Sequence, residues 1–228
     1  MPKQPDGPSD PLLLYSPGAP LRGGSFAVGG SCSLRKSGLR WIEVEQRGLN
    51  LTSVVRSGED YFASALGGKL ARWNKSSLSW DVMVSIHGDF DLLCIEADDL
   101  SRKLYVGGER GSVLEVSLAS LAVRNMSLDP AFTIHSISVV DGKAVWAVGT
   151  DGLIGKWNGS WYTQHIPSSA NLHAVTTSFL PNVAVVVGDA GTLLGCTDVG
   201  ACEQYNVATS SNLLSVSSDG NRIFVVGS

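Results

Sequence analysis

Between Ala144 and Leu194 the chain writes one structural unit and then starts to write it again. Val145-Trp-Ala-Val-Gly149 and Val183-Ala-Val-Val-Val-Gly188 are β-rich runs that each end on a glycine. A second glycine follows three residues later, at Gly152 and Gly191, and another apolar run follows that. With Gly149 as anchor, the equivalent positions are Gly29, Ala65, Gly108, Gly188 and Gly227, in steps of 36, 43, 41, 39 and 39 residues. The apolar residue closing a short run gives an independent anchor at Val54, Ile95, Ile137, Val175 and Val216, in steps of 41, 42, 38 and 41. Two anchors drifting together at about 40 residues, with several β-runs per period, match the blades of a β-propeller. A helical solenoid of similar period would carry amphipathic helices, and no segment sustains an i, i+3, i+4, i+7 apolar pattern.

The expected fold is therefore all-β, a partial propeller of five four-stranded blades and half of a sixth, its ring not closed within this chain. Residues 1–24, rich in Pro and Gly, read as a flexible lead-in with a first strand at 12–15. Residues 25–228 read as the repeats, the last blade stopping after two strands. Innermost strands are expected at 51–55, 92–96, 134–139, 172–176 and 213–217, and outer strands at 80–84, 122–128, 161–165 and 202–207. Trp41, Trp80 and Trp161 each begin an outer strand and are expected in similar surroundings.

Composition narrows the function classes. With a net charge of −4, a pI near 5.5 and no basic stripe, the chain lacks the electrostatic footprint of a nucleic-acid binder. No apolar run approaches the length of a transmembrane helix. Residues 12–15 are too short for a signal-peptide core and follow no basic segment, so the protein reads as cytosolic as written or as beginning elsewhere. Sequons point the other way. Asn50, Asn74, Asn125 and Asn158 all stand in N-x-[ST] patterns, against about 1.5 expected by chance. Read on outer strands or turns, they slightly favour an extracytoplasmic setting and a glycoprotein.

The glycines have a mechanical role. Glu-Arg-Gly at 109–111, Thr-Asp-Gly at 150–152 and Asp-Ala-Gly at 189–191 separate second from third strands. A tight hairpin needs positive φ, which Gly152 and Gly191 supply without steric cost and Asp151 tolerates. A phosphate-binding loop would need a helix after the glycines, and a β-run follows instead.

Val145-Trp-Ala-Val-Gly-Thr-Asp-Gly-Leu-Ile-Gly-Lys-Trp-Asn-Gly-Ser-Trp161, followed by Leu172-His-Ala-Val175, resembles the repeats of bacterial-type β-propellers related to the Asp-box (BNR) repeats and to the photosystem II stability/assembly factor family. The resemblance runs from about residue 25 to 228 and is strongest from Ile134 onward. The box itself is matched only partly, at Cys196-Thr-Asp198-Val-Gly200-Ala-Cys202-Glu203, where Asp and Gly are kept and the flanking Ser, Thr and Trp are not. In that family the box is a folding device, so Asp198 and Gly200 are expected to shape an outer turn. What the resemblance implies is a non-catalytic scaffold for protein partners, possessing neither enzyme activity nor cofactor. The competing expectation is a sialidase-like glycoside hydrolase or a carbohydrate-binding propeller. No arginine triad or nucleophilic tyrosine can be matched residue by residue.

Two clusters remain. His135 and His173 occupy the same place on adjacent inner strands, with Thr52, Leu93 and Leu214 elsewhere in that column. A third metal ligand is missing, because Cys94 stands one position on and would face away, so no metal site is expected and the pair reads as channel wall. Cys196 and Cys202 flank a turn and are placed to bridge its strands in an oxidising compartment.

Overall fold

The computed structural model describes residues 13–14, 25–30, 32–37, 39–44, 46–140, 142, 144–166, 170–177, 183–197, 201–219 and 222–228. Asp198, Gly200 and most of the lead-in lie outside these residues.

Five four-stranded antiparallel sheets and a two-stranded one follow each other along the described chain. The first holds β1 (Leu13–Leu14), β2 (Phe26–Gly29), β3 (Cys32–Ser37) and β4 (Arg40–Glu43). The second holds β5 (Leu51–Ser57), β6 (Asp60–Ala65), β7 (Lys69–Asn74) and β8 (Ser79–Ser85). In the third are β9 (Leu92–Asp98), β10 (Lys103–Gly108), β11 (Val113–Ser117) and β12 (Val123–Asn125). In the fourth are β13 (Ile134–Val140), β14 (Ala144–Gly149), β15 (Leu153–Trp157) and β16 (Trp161–His165). The fifth comprises β17 (Leu172–Thr177), β18 (Val183–Gly188), β19 (Leu193–Thr197) and β20 (Cys202–Gln204), and the last pairs β21 (Leu213–Ser218) with β22 (Ile223–Gly227). Within each sheet the strands are ordered as in the sequence, and β5, β9, β13, β17 and β21 pack edge to edge in turn. This is propeller geometry, with first strands innermost.

The middle strands read as unbroken apolar runs because both of their faces are buried between blades. On β14, Val145 and Ala147 point into a core shared with the third blade, whereas Trp146 and Val148 point into one shared with the fifth. On β18, Ala184 and Val186 face the fourth blade, and Val185 and Val187 face β21 and β22. The core is thus a series of slabs, one per blade interface.

The anchor glycine has a steric explanation. It sits opposite the first residue of the inner strand, as in Gly149↔Ile134 and Gly188↔Leu172. A Cβ on Gly149 would lie 2.0 Å from the carbonyl oxygen of Thr133, and the next amide, Thr150 N–H, donates to that same oxygen at 3.0 Å. The backbones approach too closely for a side chain, and the arrangement recurs at Gly108 and Gly227. The hairpins between second and third strands turn through paired left-handed residues: Arg110 and Gly111, Asp151 and Gly152, Ala190 and Gly191.

The tryptophan expectation is corrected in one of its three parts. Trp80 and Trp161 sit opposite Trp73 and Trp157, edge to face at 5.5 and 5.6 Å, and both reach back to the preceding blade. Trp80 Nε1–H donates to Ser33 Oγ at 3.0 Å, and Trp161 Nε1–H donates to the carbonyl of Met126. Trp41 pairs with Lys36 instead and is 44% exposed, because no third-strand tryptophan stands opposite it.

Candidate functional site

The inner strands β5, β13, β17 and β21 carry a register shift immediately after their first residue: between Leu51 and Ser53, Ile134 and Ser136, Leu172 and Ala174, Leu213 and Ser215. The third blade breaks its pairing at the same place, Leu92 being followed in register by Cys94. The skipped residues are Thr52, Leu93, His135, His173 and Leu214. A β-bulge leaves its extra residue unpaired and re-aims its side chain, and both histidines are bulge residues.

What they do there differs. Thr52 Oγ1–H donates to the carbonyl of Leu92, the first inner-strand residue of the next blade, at 2.6 Å. His135 repeats this link, its Nδ1 lying 2.9 Å from the carbonyl of Leu172. His173 breaks the series and turns to its own blade, where Nε2 lies 2.6 Å from Asp189 Oδ1. The two imidazoles are stacked, 5.9 Å between centroids and 15° between planes.

Asp189 is held by a device that recurs from blade to blade. The residue after the anchor glycine offers a side-chain oxygen to the amide just before the inner strand: Glu109 to Asp91 at 3.1 Å, Thr150 to Thr133 at 3.0 Å, Asp189 to Asn171 at 3.2 Å. Asp189 also accepts from Asn171 Nδ2 at 3.1 Å. A carboxylate fixed by three donors has little freedom to leave the imidazole.

The protonation pattern follows from the partners. A carbonyl only accepts, so Nδ1 of neutral His135 carries the hydrogen and Nε2 is left with a bare lone pair. A carboxylate likewise fixes the hydrogen of His173 on Nε2 and leaves its Nδ1 as the lone-pair nitrogen. Burial pushes the His135 pKa down, against a smaller upward pull from the Leu172 carbonyl. The hydrogen bond from His173 holds Asp189 below the usual carboxylate range. Side-chain exposures of 24% for His173 and 27% for Asp189 keep the pair reachable from solvent. On the inner strand of the third blade, burial pushes the Glu96 carboxyl up to about 7.

Two basic nitrogens on adjacent rings, one ring braced by a carboxylate, can take a proton from a ligand or hold it by hydrogen bonds. No group of three or more metal-ligating side chains occurs among the described residues. Cys94 is buried against Ile134 and Ile137, its thiol pushed up to about 12 by burial. The sequence column of His135 and His173 was visible, but the role of Asp189 was not, since nothing in the spacing showed that a bulge turns His173 toward the hairpin.

The other sequence candidates are distributed elsewhere. Cys196 and Cys202 stand opposite each other on β19 and β20 and are disulfide-bonded. Asp151, Gly152 and Gly191 form hairpin turns. Asn125 and Asn158 are exposed, on an outer strand and beside a turn. Asn74 is engaged, donating to Asp81 at 2.7 Å and accepting from the amides of Ser76 and Ser77. Asn50 departs from the expected placement on an outer strand or turn. It immediately precedes inner strand β5, where its carbonyl accepts from Leu66 N–H.

No family model matches the chain, and no curated protein matches it. Solved structures do. The selenomethionine-substituted virginiamycin B lyase from Staphylococcus aureus superposes with a TM-score of 0.76 at 9% identity, over 95% of this chain and 83% of that one. A streptogramin B lyase superposes with a TM-score of 0.73 at 14% identity, over 90% of this chain and 71% of that one. Among the described residues no helix is long and apolar enough to cross a membrane. The expectation that the chain is not an enzyme is corrected by these neighbours: both are lyases, so propellers of this outline carry catalysis, and the lack of a matched motif excluded nothing. At such identities the likeness establishes the fold, and by fold the chain is a β-propeller.

Proposed function

We propose that the chain binds a small polar ligand at the inner edge of its fourth and fifth blades and takes a proton from it there. The observation that carries this reading is the His173–Asp189 pair beside the stacked ring of His135. His173 Nδ1 is the base; Asp189 fixes its tautomer and would stabilise the imidazolium formed. His135, kept neutral by burial, presents Nε2 to a donor group of the ligand. Removal of a proton from carbon, followed by departure of a leaving group from the neighbouring carbon, is an elimination and consumes no oxidant or reductant. The names of the two structural neighbours agree with that reaction class. The test is incubation with virginiamycin B, followed by chromatography of the remaining compound, and in parallel solvent deuterium uptake by ligands with an acidic C–H. Consumption or exchange by the parent protein that is lost in His173→Gln supports the reading. Equal rates in both sink it.

A second reading, a platform for protein partners of the kind suggested by the resemblance to photosystem II assembly factors, is favoured by exposed Leu39, Trp41 and Ile42 on or beside outer strand β4. It predicts that Trp41→Glu with Ile42→Glu abolishes cross-linking to a partner while leaving the melting temperature unchanged.

A further inference from the structure

Between the first and second blades lies a cavity of about 190 Å³. Phe26, Tyr61 and Trp73 form its aromatic walls, and Arg35, Arg56 and Lys75 bring three cations to it. The rings pack on one another, Phe26 to Tyr61 at 4.7 Å and Phe26 to Trp73 at 4.9 Å, so the walls are rigid. Among the described residues Glu59 is the one acidic residue of the lining, and its side chain is 87% exposed, 3.7 Å from Arg56.

The cations are not equally committed. Arg56 Nε–H donates to the carbonyl of Gly58 at 2.8 Å, and Lys75 Nζ lies 3.7 Å from Asp60. Arg35 has no carboxylate among the described residues. Its guanidinium lies over the Trp73 ring at 5.9 Å, and its Nε is buried with no hydrogen-bond partner. A guanidinium with no carboxylate beside it is open to an anion, and its fork of N–H donors is the shape that a planar oxyanion fits.

We infer that this cavity is a binding site for a small organic carboxylate with a flat, largely apolar body. The carboxylate pairs with the guanidinium of Arg35, Lys75 adds charge, and the body lies against half-buried Tyr61, with the buried Phe26 and Trp73 beneath it. The cavity admits a single-ring acid and is too small for a nucleotide or a sugar chain. It is formed by a different pair of blades from His173 and Asp189 and is independent of the function proposed for them.

Titration of the full chain with sodium benzoate, followed by tryptophan fluorescence and by calorimetry, tests the site. Benzoate is expected to bind, with benzamide, which has the same shape without charge, at least tenfold weaker. Arg35→Gln should lower benzoate affinity tenfold or more and Lys75→Gln by a smaller factor, whereas His173→Gln should leave it unchanged. Inorganic phosphate at the same concentration should not compete. Circular dichroism and thermal melts establish that each variant is folded, and Lys75→Gln, at an exposed side chain, serves if Arg35→Gln is not. Absence of benzoate binding, equal binding of benzamide, or undiminished binding by folded Arg35→Gln and Lys75→Gln overturns the inference.

Discussion

His173 Nε2 lies 2.6 Å from Asp189 Oδ1, although one residue sits on an inner strand and the other in a hairpin turn sixteen positions later. The bulge at His173 and the left-handed turn at Ala190 and Gly191 together close that distance. The carboxyl pKa of Asp189 is depressed first by this bond. A depressed carboxylate adds stability above its unfolded pKa, near 3.9, and loses it as pH falls through the folded value. Asp189→Asn should therefore melt lower than the parent at pH 7, and the gap should shrink as pH falls below about 4. Melting curves from pH 7 to 3 measure it; a gap independent of pH would show that the bond does not depend on the carboxylate charge.

His135 acts over a different window. Burial lowers its pKa, so the unfolded chain binds the proton more readily, and stability falls as pH drops below the unfolded value near 6.5. Glu96 works in the opposite sense: its carboxyl, pushed up to about 7, binds a proton more readily when folded and gains stability on acidification. The parent profile mixes the two, so the informative quantity is a difference. Relative to the parent, His135→Gln should gain several degrees between pH 7 and 5, and Glu96→Gln should lose its relative advantage over the same range. Thermal melts at half-unit pH steps give both differences.

Much of the fold was legible because a propeller repeats. Gly108, Gly149, Gly188 and Gly227 kept their place, since a Cβ there meets a carbonyl oxygen, whereas the second blade holds Ala65 at that position. The paired faces of β14 made its run continuously apolar, as burial on both sides requires. The site was only half legible. His135 and His173 formed a visible column, but a bulge displaces a residue without leaving a composition signal, and Asp189 read as turn chemistry because it also is turn chemistry. Trp41 was misread for a related reason: its strand position matched Trp80, but surroundings depend on what stands opposite, and there it is Lys36.

That glycine contact sets a clear stability contrast. Gly149→Ala places a Cβ 2.0 Å from Thr133 O, on rigid backbone, whereas a Cβ on Gly159 meets nothing within 4 Å. Gly149→Ala should cost about 2–4 kcal/mol, because the two strands must separate. Gly159→Ala pays only for its positive φ, about 1 kcal/mol. Urea denaturation of the two variants compares them, and similar midpoints would contradict the close approach.

Trp80 and Trp41 should likewise separate. Trp80 is fully buried and donates to Ser33 Oγ, itself fully buried. Trp80→Phe removes that donor and part of the slab between the first two blades, a loss of about 2–3 kcal/mol. Trp41→Phe, at an exposed outer strand, should stay within about 0.5 kcal/mol of the parent. Urea midpoints that fall by the same amount in both would mean that their surroundings do not differ.

The Cys196–Cys202 disulfide joins β19 to β20 across a hairpin only six positions long in sequence separation. A short closed loop removes little entropy from the unfolded chain, so the bond should contribute about 2 kcal/mol or less. Its effect should also be local, because β20 is an outer strand that touches the slab between the fourth and fifth blades only at its rim, through Cys202. Cys196 is nonetheless fully buried, and Gln164 of the fourth blade places its Nε2 2.6 Å from Cys202 Sγ. Cys196→Ser should cost more than Cys202→Ser, because a hydroxyl at the buried position needs a partner that the apolar slab does not offer. Melting temperatures of both variants and of the reduced parent test the ranking. The expected order is parent, reduced parent and Cys202→Ser close together, then Cys196→Ser lowest. A large fall on reduction alone would mean that the bond fixes more of the fifth blade than its outer hairpin.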